Sequence, residues 1–228
     1  MSAEKRYPPG YGPVHPQADY RPWDIDAIFA PLYAAVQEHT KVDEARCYLL
    51  WQAALQCASI PGDFMEVGVW RGGTGALLCD AAARLDDDRH VYLADTFRGV
   101  VKAGPKDDYY KGGEHADTSR ETVEELLEEL ETANYTVLEG VFPEETGHAV
   151  PAGPIALCHV DVDVYQSARD VTEWVWPRMP VGGVIVYDDY GFYGCEGVTA
   201  LGNEEIERRD RLFLHNLSGQ AFLIKLQP

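Results

Sequence analysis

Four aspartates stand where two apolar runs end: Asp161 and Asp163 in His159-Val-Asp-Val-Asp-Val-Tyr165, and Asp188 and Asp189 in Tyr187-Asp-Asp-Tyr190. In a parallel sheet, ligands collect at the carboxyl ends of the strands, so these acids are expected at one rim. Carboxylates gathered there repel one another unless a cation lies among them. Donors that are all oxygen suit a hard ion, Mg²⁺ first, with Mn²⁺ or Ca²⁺ next. Helix N-capping explains one such acid, but hardly four.

A second constellation is Glu66-Val-Gly-Val-Trp-Arg-Gly-Gly-Thr-Gly75, at a strand-to-helix turn. Glycines there let the backbone approach a ligand closely. The spacing is not G-x-G-x-x-G, so a dinucleotide pyrophosphate is not the expected ligand. Glu66 lies inside the strand, where a carboxylate is costly unless it accepts hydrogen bonds from loop amides or from a ligand's ammonium group. Asp95 ends the next strand, the place where α/β nucleotide-binding folds hold a ribose; the alternative for Asp95 is an N-cap or Asx-turn. Gly68, Arg71, Gly72 and Thr74 of the turn join Glu66 and Asp95 as candidate cofactor contacts, with Asp161 beside them. Gly140-Val-Phe142-Pro, after the third strand, is placed to border an adenine.

These residues need a sheet to position them. Apolar periodicity predicts helices over 23–41 and 44–59, the second with Leu49, Leu50, Ala53, Leu55 and Ala58 on its apolar side. Strands and helices then alternate: strand 63–69, helix 73–85, strand 90–95, helix 119–131, strands 135–139 and 155–160, helix 165–178, strand 184–187 and helix 195–209. Strands 211–215 and 221–226 close the chain as an antiparallel hairpin. This pattern is α/β, a mostly parallel sheet with helices on both faces. Residues 1–43 read as an N-terminal arm and helix, and 44–228 as the main domain. A Pro- and Tyr-rich arm of this kind lies across a partner subunit or a site mouth, or stays disordered; a homo-oligomer is compatible with it. The polar stretch 98–117 predicts a mobile lid, with Tyr109 and Tyr110 able to stack on an acceptor ring. Tyr165, Tyr190, Phe192 and Tyr193 are available to line the acceptor side, although ordinary packing is the better reading for any one of them.

The net charge of −19 over 228 residues disfavours nucleic acid and anionic membranes as partners. No apolar stretch is long enough to cross a bilayer, and the first twenty residues lack the apolar core of a secretory signal. The five cysteines are scattered without CxxC spacing and read as buried free thiols, so a cytoplasmic protein is expected.

Four blocks, Glu66-Val-Gly-Val-Trp-Arg-Gly-Gly73, Leu93-Ala-Asp-Thr-Phe-Arg-Gly99, His159-Val-Asp-Val-Asp-Val-Tyr-Gln-Ser167 and Gly182-Gly-Val-Ile-Val-Tyr-Asp-Asp-Tyr190, resemble the macrocin O-methyltransferase family. The resemblance extends from about residue 44 to the C-terminus. It implies a seven-stranded, Rossmann-like class I methyltransferase sheet that binds S-adenosylmethionine. It further implies Mg²⁺ held by Asp161, Asp188 and Asp189, and methyl transfer to a small-molecule hydroxyl of a sugar or glycosylated natural product. The spacing from Asp161 to Asp188 is also similar to that of catechol-type metal-dependent methyltransferases. There a lysine follows the first acid and the last ligand is often Asn; Val164 and Asp189 stand here instead, which argues against a simple catechol. For such a reaction Asp161 is the first choice of general base, with Asp163 and His159 behind it. A metal-dependent glycosyltransferase using Asp161-Val-Asp163 is the alternative enzyme, and a non-catalytic S-adenosylmethionine-binding protein the alternative without turnover.

Overall fold

The computed structural model describes residues 7–15, 17–85 and 88–228. Five apolar runs, bounded by Gly, Pro or Asp, form parallel strands: β1 (Asp63–Val67), β2 (Val91–Asp95), β3 (Tyr135–Glu139), β4 (Ile155–Val160) and β5 (Val184–Tyr187). The hairpin β6 (Arg211–His215) and β7 (Ala221–Lys225) completes a seven-stranded sheet in the order β3-β2-β1-β4-β5-β7-β6. Strand β7 runs antiparallel between β5 and the edge strand β6. The strand order reverses between β1 and β4, which opens a crevice at their carboxyl ends.

Helices cover both faces because successive strand residues point to opposite sides. Phe64 and Leu93 pack under α1 (Phe29–Val36), α2 (Glu44–Gln56), α3 (Gly73–Leu85) and α4 (Arg120–Glu129). Met65 and Tyr92 pack under α5 (Tyr165–Val175) and α6 (Glu196–Glu205). Phe29 and Val36 of α1 belong to the same core as α3. The Asp43 carboxylate accepts from the amides of Ala45 and Arg46, and the Ser119 hydroxyl accepts from Thr122; these caps start α2 and α4 where Asp and Ser precede an apolar face.

The expected helix over 23–41 is shorter than its apolar pattern. The Asp26 carboxylate accepts from the amides of Ile28 and Phe29 and so delays the helix start to Phe29. Ile25 and Ile28 are consequently exposed. On α2, Leu49 likewise faces outward, as does Ala58 in the 3-10 turn Cys57–Ser59 that follows, and Arg46, Cys47, Leu50, Trp51 and Ala54 take the buried side. Helix α5 gives way to a 3-10 turn over Trp176–Arg178, because Pro177 supplies no amide to continue it.

The stretch 96–119 contains no helix or strand, but it does not have the sparse packing that the lid expectation assumed. Val100 and Tyr110 are buried with Val164 and Cys195. The Asp107 carboxylate, 3% exposed, accepts from the amides of Gly104 and Tyr165. Lys102 bridges Glu144 and Asp170. The segment is anchored to α5 and α6. Residues 1–6 and 16 of the arm lie outside the described residues; Tyr7 and Tyr11 set their rings against Tyr193. All five cysteines are buried and free, and no helix among the described residues is long and apolar enough to cross a membrane.

Leu93 is fully buried in the middle of the sheet. Leu93→Ala should therefore destabilise the fold by about 2–5 kcal/mol, read as a shift in the urea midpoint at unchanged slope.

Candidate active site

A cavity of about 620 Å³ opens at the carboxyl ends of β1, β2, β4 and β5. Gly68, Thr74, Asp95, Gly140 and Phe142 line one part of it, and Asp161, Asp163, Asp188 and Asp189 another. The two parts touch at Gly68. Its φ is +91°, and a Cβ there would overlap the carbonyl oxygen of Asp161. Glycine is required on both counts. Asp95 faces the cavity and also builds the turn: one carboxylate oxygen accepts from Val69 at 2.8 Å and Trp70 at 2.9 Å, the other from Phe97 at 2.7 Å. The Asx-turn reading of Asp95 describes these bonds, and the residue also stands on the cavity wall.

Three candidate cofactor contacts lie off the cavity wall. Arg71 pairs with Asp117 and stacks on Trp70. Gly72 backs onto Val123 of α4. Glu66 is fully buried beneath the turn, where its Oε1 lies 2.7 Å from His159 Nδ1. The carboxylate in the strand thus has a partner, but the partner is a histidine and not a loop amide.

His159 is also fully buried, and its Nε2 lies 3.5 Å from Asp188 Oδ1. Burial alone would lower its pKa, but the Asp188 carboxylate 3.5 Å away and the hydrogen-bonded Glu66 lift it to about 10. His159 therefore favours its protonated form and lies behind the wall, which makes it a poor candidate base. Asp188 is correspondingly held towards its ionised form: burial opposes this, but the neighbouring His159 and the Arg46 charge outweigh it. Gln220 Nε2 donates to Asp188 at 2.9 Å, and Arg46 Nη1 donates to the same carboxylate.

The other acids have the opposite environment. Burial first, then neighbouring carboxylates, push Asp161 and Asp189 well above the ordinary carboxylate range. Burial raises Asp163, and the nearby Tyr110 hydroxyl and His115 partly offset this. Ligand atoms of Asp161 and Asp188 group with His159, and those of Asp189 group with Asp163 and Cys195, each set within 4.8 Å. The three acids expected as one ligand set thus occupy two adjoining groups.

Sequence reasoning missed Arg46 and Gln220. Arg46 did leave a signal, a charge on the buried side of α2 among Cys47, Leu50 and Ala54. Gln220, beside a hairpin turn, left none.

Residues 34–204 match the family described as macrocin-O-methyltransferase (TylF). A relative from Streptomyces olivaceus, 8-demethyl-8-(2,3-dimethoxy-alpha-L-rhamnosyl)-tetracenomycin-C 4'-O-methyltransferase, is 31% identical over 60% of this chain and 56% of its own. Mycinamicin III 3''-O-methyltransferase of Micromonospora griseorubida is 31% identical over 74% of this chain and 67% of its own. The chain spans little more than half the length of the first curated relatives it matches, 56% and 54%. Among solved structures, the O-methyltransferase NovP superposes with a TM-score of 0.69 at 25% identity, covering 83% of both chains. The calicheamicin methyltransferase CalS11 shares the fold, with a TM-score of 0.67 at 16% identity over 92% of this chain and 99% of its own.

Two outcomes follow from this geometry. Gly68→Ala should cost at least about 2 kcal/mol in thermal stability, because the left-handed backbone and the overlap with Asp161 act together. For His159, the folded pKa near 10 exceeds the usual 6.5, so its stabilisation is complete below about pH 6.5 and is lost as pH rises towards 10. In chelator-treated protein, His159→Gln should flatten the fall in unfolding free energy over that window; an unchanged slope would show that His159 is not the proton carrier.

Proposed function

We propose that this chain, which belongs to the macrocin O-methyltransferase family, transfers a methyl group from S-adenosylmethionine to a sugar hydroxyl of a natural product, with a divalent cation bound at the acids. One observation carries this reading: a single cavity joins the Gly68 turn and Asp95 to four carboxylates at the neighbouring strand ends. The glycosyltransferase alternative leaves the turn and the Asp188-Asp189 pair without a role, and the family match speaks against it.

The turn at Gly68–Thr74, with Asp95, Gly140 and Phe142, would hold S-adenosylmethionine, which supplies an electrophilic methyl group on a sulfonium. A ligand of this kind is compatible with the turn, whose shape Asp95 fixes through the amides of Val69 and Trp70 and whose close approach to the end of β4 Gly68 permits. Asp161, Asp188 and Asp189 would hold Mg²⁺, or Mn²⁺ in its place, and the ion supplies Lewis-acid polarisation of the acceptor oxygen. The donor set fits a hard cation: the Asp161 carboxylate accepts no hydrogen bond among the described residues, and both Asp161 and Asp189 suffer from neighbouring negative charge.

The chain's own residues then divide the work. Glu66 and His159 support Asp188 from beneath the sheet. Asp163 lines the cavity, lies outside the ligand trio and has the Tyr110 hydroxyl in its surroundings. It is the better placed of the remaining acids to accept the acceptor hydroxyl's proton, ahead of Asp161, the first choice from sequence. Its raised pKa improves its strength as a base. Tyr109, Phe192 and Tyr193 line the far side of the cavity, suited to the apolar face of a sugar ring.

Chelation with EDTA should abolish methylation, Mg²⁺ or Mn²⁺ should restore it, and S-adenosylmethionine affinity should change little. Asp163→Asn should lower kcat by roughly 10²–10⁴ with cofactor affinity retained. Mass spectrometry of a methylated glycoside reads both. Full activity after exhaustive chelation would exclude the metal-dependent route, and a normal kcat for Asp163→Asn would return the proton to Asp161.

A further inference from the structure

Among the described residues, Arg46 carries a positive charge from the helical layer into the carboxylate cluster. It lies on α2, is 8% exposed and lines the cavity. Its Nε is 2.6 Å from the Asp43 carboxylate, which caps the same helix. Its Nη1 pairs with the Asp188 carboxylate and donates to the Asp188 carbonyl at 3.3 Å. The guanidinium carbon stands 4.7 Å from the centre of the Phe192 ring. Gln220 completes the arrangement by donating to Asp188 Oδ1 at 2.9 Å and to the Arg46 carbonyl at 3.4 Å.

This geometry has two consequences for a cation held by Asp161, Asp188 and Asp189. The planar guanidinium, anchored at Asp43, restricts the rotation of the Asp188 carboxylate in a way a point charge cannot. The same fixed positive charge, in contact with one ligand, opposes a second positive charge arriving there. Orientation favours the ion, and charge disfavours it.

We infer that Arg46 is a positioning residue that fixes Asp188 for catalysis while holding down the affinity of the acids for a divalent cation. The role rests on the metal-dependent reading above. It separates charge from orientation, so two variants distinguish them. Arg46→Met removes both; Arg46→Lys keeps the charge but cannot bridge Asp43 and Asp188 together.

The test is Mn²⁺ binding to the chelator-stripped full chain, read from the free-ion electron paramagnetic resonance signal, followed by kcat at saturating Mn²⁺. Arg46→Met should bind Mn²⁺ roughly tenfold tighter or more, since a like charge leaves the site. Arg46→Lys should stay within about threefold of the parent, because its charge remains. Both variants should lose roughly tenfold or more in kcat, with KM for S-adenosylmethionine unchanged, because Asp188 is no longer fixed. Equal or weaker Mn²⁺ binding by a folded Arg46→Met would overturn the charge role, and full kcat in Arg46→Lys would overturn the orienting role. Should Arg46→Met not fold, Arg46→Lys carries the test, with lowered kcat at parental Mn²⁺ affinity as the supporting result and parental kcat as the overturning one. A parent protein that binds no Mn²⁺ overturns the metal reading, and this role with it; a parent that binds while Arg46→Met does not tighten overturns this role alone.

Discussion

The structure depends on keeping negative charge buried at the end of a sheet. Asp188 and Asp189 are almost wholly enclosed, and Asp161 and Asp163 stand beside them. Left alone, such a group would take up protons or open the site to water. The chain meets this at Asp188 by surrounding it with Arg46, protonated His159 and Gln220, and by supporting His159 with Glu66. These contacts draw on β1, α2, β4, the residues after β5 and the hairpin. The charge network is thus a reason for several elements to meet where they do, and partner loss in such a network costs more than loss of a surface pair.

The remaining acids are left without equivalent compensation. Asp161 and Asp189 are raised by burial and by each other's neighbours, the environment in which a cation stabilises most. The contrast within a few ångströms separates roles: an acid held towards its ionised form keeps position, while raised acids are available to bind an ion or take a proton. Topology supplies the meeting place, since β1 and β4 are neighbours at the point where the strand order reverses.

Much of this architecture was legible in the chain. Strands β2 to β5 could be read from apolar runs that end at or just before an acid, Asp95, Glu139, Asp161 and Asp188, because a parallel sheet buries both faces and leaves its carboxyl tips polar. The co-location of Asp161 and Asp188 followed from adjacent strands. What was less legible depended on side-chain partners distant in sequence. Glu66 read as a ligand contact because a strand carboxylate demands a donor, and nothing local indicated that His159 would be it. The loop 98–117 read as mobile because its composition is polar, whereas its anchors, Val100, Asp107 and Tyr110, are single residues packed against the starts of α5 and α6. The start of α1 was misjudged because Asp26 outcompetes the apolar periodicity that precedes it.

The contact between Gly68 and the Asp161 carbonyl makes the separation of the two halves of the cavity a property of the main chain. No rotamer, and no adjustable side chain, intervenes between the turn after β1 and the end of β4. The spacing between the two halves is therefore a fixed gauge, while the aromatic side formed by Tyr109, Phe192 and Tyr193 is built from side chains that can be exchanged. Variation in the lining is free to accumulate on that side without resetting the gauge. The shape of the cavity and the spacing of its halves are, in this fold, separable by position along the chain.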